Sequence, residues 1–96
     1  MLYVYTYKRN LDGTYEAPFL NMMEPDDARR EANYMVISDI DKAAESKFNL
    51  KTLCYLGMFD QERGKFVDLK CDELIDLSVP YNQIKNLRGD GHGGQI

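Results

Sequence analysis

The spacing of hydrophobic and polar positions changes along the chain, and each change marks an element. Residues 2–7 read Leu-Tyr-Val-Tyr-Thr-Tyr. In a strand, side chains alternate between faces, so Tyr3, Tyr5 and Tyr7 line one side and Leu2, Val4 and Thr6 the other. Arg9-Asn10-Leu11-Asp12-Gly13 supplies turn formers, and a second extended run follows from Thr14 to Leu20. Pro18 interrupts that run. Because proline cannot donate to a ladder, this strand is expected to be short, bulged or at a sheet edge.

The period then becomes helical. Glu24-Pro25-Asp26-Asp27 is a helix start, with proline in the first turn and acids at the positive end of the dipole. Ala28, Ala32, Met35 and Val36 fall on one face at spacings of three and four. Asp39 would land inside that face, a poor place for a carboxylate. With Ser38 as a cap and Asp41 three residues on, this predicts a break: a first helix to about Ile37 and a shorter one near 39–47.

Alternation returns from Lys51 to Phe59, which puts Leu53, Tyr55 and Phe59 on one face and Cys54, Leu56 and Met58 on the other. Asp60-Gln61-Glu62-Arg63-Gly64 suits a hairpin loop, and Lys65 to Leu69 comes back as a short strand. Cys71 to Leu77 reads as a helical turn or an extended edge. Beyond Pro80 the chain becomes polar and then glycine-rich, so residues 1–78 are expected to form the domain and 79–96 a flexible tail. The result is an α+β fold in ββ-α-ββ order: a small antiparallel sheet of two hairpins, with one broken helix covering one face. One helical layer covers one face of a sheet, so the other face is expected to need a partner.

Length and charge narrow the function. Ninety-six residues make one domain, and the net charge of −4 argues against a generally basic nucleic-acid binder while leaving room for a local patch. Cys54 and Cys71 have no metal-ligand spacing and read as free thiols in a reducing compartment. The first apolar run breaks at Lys8-Arg9, unlike a secretory leader. No stretch approaches the roughly 18 apolar residues of a membrane span.

Two sets of segments, in order, resemble a known family. The first is Tyr3-Val4-Tyr5, Tyr15-Glu16-Ala17-Pro18-Phe19-Leu20 and the acid-flanked helix with Ala28-Arg29-Arg30. The second is Leu53-Cys54-Tyr55-Leu56-Gly57-Met58-Phe59-Asp60 followed by Gly64-Lys65-Phe66. Together they resemble the small nonstructural protein of gokushovirus-type microviruses, tailless phages with single-stranded DNA genomes, over about residues 1 to 78. The resemblance implies a non-virion protein in the cytoplasm of the infected bacterium. It also implies single-stranded DNA binding tied to genome replication or to the switch toward single-stranded synthesis.

Two readings of the tyrosines stay open. Tyr3, Tyr5 and Tyr7, with Tyr55 on a neighbouring strand, could stack bases, each stack being worth about 1–3 kcal/mol. Lys8, Arg9 and Lys51, with Arg29 and Arg30 of the helix, would then meet phosphates. Alternatively, the rings pack against the helices or a second subunit, and the arginines pair with nearby acids such as Asp26. A homodimeric protein-interaction module acting on a host or phage protein is the competing function. Arg88-Gly89-Asp90 matches an integrin tripeptide by chance, and the single histidine, His92, has no partner for a metal site or a dyad. No phosphate loop, nucleophile elbow or metalloprotease motif occurs. The expectation is a protein that is not an enzyme, with no cofactor, no metal and no small-molecule substrate.

Overall fold

Turn chemistry at residues 9–14 closes the first hairpin. In the computed structural model, which describes residues 1–88, strand β1 (Leu2–Arg9) turns and returns as β2 (Phe19–Asn21). Asp12 accepts from the backbone N–H and the hydroxyl of Thr14, at 3.0 and 2.7 Å, and so holds the turn. Then come helices α1 (Pro25–Ser38) and α2 (Ile40–Glu45), a 3-10 turn (Phe48–Leu50), and strands β3 (Lys51–Asp60), β4 (Lys65–Val67) and β5 (Asp72–Asp76). Helix α3 (Ser78–Leu87) completes the order. The fold is α+β, with a five-stranded antiparallel sheet ordered β2-β1-β3. The far edge of β3 is shared, β4 pairing with its C-terminal end and β5 with its N-terminal half.

The return strand expected from Thr14 is divided. Tyr15 bridges Lys8, Pro18 interrupts the ladder, and pairing resumes at Phe19 opposite Tyr5. The helix break falls where Asp39 required it, but the cap is Asp39 itself rather than Ser38: its carboxylate accepts from the Lys42 N–H at 3.1 Å. A polar group that had no place in the apolar face is used to start the next helix.

The expected single broken helix is corrected to three α-helices among the described residues. Asp76 accepts from the N–H and hydroxyl of Ser78, at 3.0 and 2.7 Å, and starts α3. Pro80 lies in the first turn, where its missing donor costs nothing. Leu77, Pro80 and Tyr81 are buried, so residues 78–87 belong to the domain and not to a tail. Gly89 to Ile96, including His92 and the last two residues of the Arg-Gly-Asp tripeptide, lie outside the described residues.

The core lies between the sheet and the helices. Tyr5, Leu53 and Tyr55 pack against Ala32 and Val36 of α1, Ile40 and Ala43 of α2, and Leu77 and Tyr81 at α3. A bulge corrects the face assignment in β3. Val4 pairs Gly57 and Tyr5 pairs Tyr55, so Leu56 is an extra residue. Past it the alternation reverses: Met58, opposite Tyr3, packs on the core, and Phe59, opposite Leu2, turns away.

The second face is also covered, although no helix among the described residues lies on it. Val4, Thr6, Thr52 and Cys54 are all buried there. Residues 14–18 cross it, where the Thr6 hydroxyl donates to the Glu16 carbonyl at 2.6 Å. Residues 67–71 cross it from the other side, where the Lys70 N–H donates to the Leu56 carbonyl at 3.1 Å. Gly57 permits that crossing. Its φ is +126°, and a Cβ there would sit 2.8 Å from the Asp68 carbonyl oxygen.

Candidate interaction site

The tyrosine stripe faces the helices. Tyr5 is 1% and Tyr55 8% exposed, and their ring centroids lie 5.7 Å apart. Tyr3 leans on Tyr55 at 6.3 Å, while Tyr7 stacks on Phe19 at 5.8 Å and meets Phe48 at 5.4 Å. The proposed base-stacking platform is therefore filled by the protein's own side chains. The physical reason is helix number: α3 and the 3-10 turn add apolar surface that reaches the same face as α1 and α2. Burial, followed by the neighbouring tyrosines and acids, pushes the Tyr5 hydroxyl up to about 12. That hydroxyl donates to the Met23 carbonyl, tying the chain between β2 and α1 to the sheet.

The five cations expected to meet phosphates fall in three places rather than one. Lys8, on the loop-covered face, pairs with Glu73 of β5. Arg9 and Lys51 face each other across β1 and β3 and share Glu16, at 3.7 and 2.9 Å. The Lys51 ammonium also lies over the rings of Phe48 and Tyr7, at 5.3 and 5.8 Å. Arg30 pairs with Asp27 on α1, and Arg29 is exposed on the same helix. An open groove of about 420 Å³ does gather Arg9 and Lys51 with Lys47, between Leu11 and Leu50, with Glu16 and Asp12 in its wall. Lys47 joins it through a left-handed backbone at φ 64°, a conformation that no residue pattern around it announces.

The sheet edges differ in a way that sequence periodicity does not reveal. The β5 edge carries Asp72, Glu73 and Asp76, and short β4 carries Lys65; charges of this kind discourage strand addition. By contrast β2 is Phe19-Leu20-Asn21, inside the uncharged run Ala17 to Met23. Phe19, Leu20 and Met22 are exposed. Between this edge and α1 lies an apolar cavity of about 140 Å³, lined by Phe19, Met23, Ala28, Ala32 and Met35 among others. The readable signal was the absence of charge over seven residues bracketed by Glu16 and Glu24.

Among the described residues there is no group of three or more His, Cys, Asp or Glu side chains placed to hold a metal ion. No helix among them is long and apolar enough to cross a membrane. Compared with protein-family models, with curated proteins and with solved structures, the chain matches none.

Proposed function

We propose that this chain is a non-enzymatic binding protein of a gokushovirus-type microvirus, acting in genome replication inside the infected bacterium, and that it works as a homodimer joined through β2. The phage setting rests on the order of the sequence segments described above. The dimer rests on one observation: β2 is the sheet edge that carries no charge, and it borders an apolar cavity. An edge strand offers unpaired backbone groups to a strand of any chain. Two chains of net charge −4 repel generally, but along Ala17 to Met23 they can approach without opposing like charges. Antiparallel pairing about a two-fold axis would cover Phe19, Leu20 and Met22 in both copies.

Sedimentation at micromolar concentration tests this. The wild-type mass is expected to be twice the chain mass, and that of a Leu20→Glu, Met22→Glu double variant equal to one chain with an unchanged circular dichroism spectrum. A wild-type monomer at that concentration overturns the dimer.

Single-stranded DNA is the second reading, favoured by the groove of Arg9, Lys47 and Lys51 rather than by the tyrosines. Phosphates would have to displace Glu16 from Arg9 and Lys51. Glu16→Gln should then tighten oligonucleotide binding, and affinity should fall with salt. No retention of an oligonucleotide by either protein at low salt removes this reading.

A further inference from the structure

We propose that Cys54 and Cys71 form a redox pair, in which a hydroperoxide oxidises Cys71 and Cys54 resolves it to an intramolecular disulfide. Register brings them together. Cys54 pairs with Glu73 across β3 and β5, and Cys71 precedes Glu73 by two residues, so both thiols stand on the loop-covered face. Thr6, directly opposite Cys54 across β1 and β3, lines the same cleft as Cys71. Their exposures differ as the two roles require: Cys54 is fully buried, whereas Cys71 is exposed. Cys71 opens onto a cleft of about 340 Å³ lined by Thr6, Tyr15, Pro18 and Leu56. The Tyr15 hydroxyl lies 3.7 Å from the Cys71 sulfur, placed to hold an oxygen added to it.

The chemistry balances. The Cys71 sulfur attacks one peroxide oxygen, the O–O bond breaks, and water (or an alcohol from an organic hydroperoxide) leaves with the thiol proton. The resulting sulfenic acid is attacked by the Cys54 sulfur. The S–S bond forms as the S–O bond breaks, and the Cys54 proton leaves on the hydroxide as a second water. Each sulfur loses one electron, and the peroxide gains two. Burial keeps Cys54 out of reach of solvent peroxide, whereas Cys71 is exposed to it. It reacts only with what Cys71 delivers. The product would tie the crossing segment 67–71 to β3.

Stoichiometric hydrogen peroxide on the reduced full chain tests this, followed by thiol titration and mass spectrometry of a non-reduced digest. Both thiols should be lost, with the peptides carrying Cys54 and Cys71 linked within one chain. Cys54→Ser should instead accumulate a sulfenic acid on Cys71 that dimedone traps, and Cys71→Ser should keep its Cys54 thiol. Retention of both thiols overturns the proposal. So does overoxidation of Cys71 with Cys54 untouched, or a link between chains. The wild-type measurement decides the matter even where a serine variant fails to fold.

Discussion

Replacing Gly57 by alanine tests whether residues 67–68 cross the sheet as closely as the structure places them. Two costs arise at this position. At φ +126° an L-residue is strained, a cost of about 1–3 kcal/mol. The new Cβ would also meet the carbonyl oxygens of Asp68 and Val67 at 2.8 and 3.0 Å. Those are backbone atoms, so the crossing segment itself must shift, an overpacking cost of about 1–3 kcal/mol. Against this, alanine reduces unfolded-chain entropy and returns about 0.4–1 kcal/mol. The net loss is about 3 kcal/mol, a large part of the stability of a small domain. In thermal unfolding followed by circular dichroism, that lowers Tm by about 12–24 °C for a chain of this size. Gly64→Ala is the matched control. Its φ is also positive, at 66°, but nothing lies within 4 Å of the added Cβ. It should cost about 1 kcal/mol or less after the same entropic return. If the two variants melt together, the close crossing over β3 is wrong, and with it the account of how the second face is covered.

Three further outcomes follow from the core and the turns. Leu77, fully buried where α3 meets the sheet, should cost about 2–5 kcal/mol as Leu77→Ala in urea unfolding; a cost below about 0.5 kcal/mol would return α3 to a dispensable tail. Tyr5, held neutral by burial, contributes stability that is present below the ordinary tyrosine value near 10 and is lost as pH rises toward about 12. Tyr5→Phe should therefore melt less steeply with pH over that range, and an unchanged alkaline slope would contradict the burial. The Asp60 carboxylate is held below its ordinary value by the Arg63 guanidinium and by the N–H groups of Arg63 and Glu62. Its contribution is present above about pH 4 and lost as pH falls through the lowered value; Asp60→Asn should flatten that acid limb, and an identical limb in both proteins would refute the assignment.

How much could be read in advance depended on whether a residue's role was local. The first hairpin, the start of α1 at Pro25, the break at Asp39 and the loop from Asp60 to Gly64 follow from propensity and turn chemistry, and all are visible in the sequence. The reversal at Leu56 was not, because a bulge is decided by what crosses the strand, and residues 67–68 are far from Gly57 along the chain until the sheet forms. Helix α3 was hidden by the polar residues that follow Pro80, yet Leu77, Tyr81 and Ile84 carry the spacing of a core-facing helix. Without α3 the tyrosine face is one cover short, and that is why base stacking by Tyr3, Tyr5, Tyr7 and Tyr55 stayed open beside their packing against the helices.

The threonines at positions 6 and 52 show why the second face needs no helix. A loop laid over a sheet brings backbone carbonyls and N–H groups into a buried place, and each must find a partner. Leucine or valine at these positions would leave them unmatched. Instead, the Thr6 hydroxyl satisfies the Glu16 carbonyl, and the Thr52 hydroxyl donates to the Asn10 side chain at 2.7 Å, which in turn donates to Asp76 at 3.0 Å. The run Leu-Tyr-Val-Tyr-Thr-Tyr is thus not apolar on both sides: its polar member is placed where a loop must bond. With the tyrosine face packed by the helices and the other face crossed by two segments, the edges of the sheet among the described residues differ in what they offer. Of those edges, β5 and β4 carry charges that discourage strand addition and β2, Phe19-Leu20-Asn21, carries none, which is the asymmetry on which the proposed dimer rests.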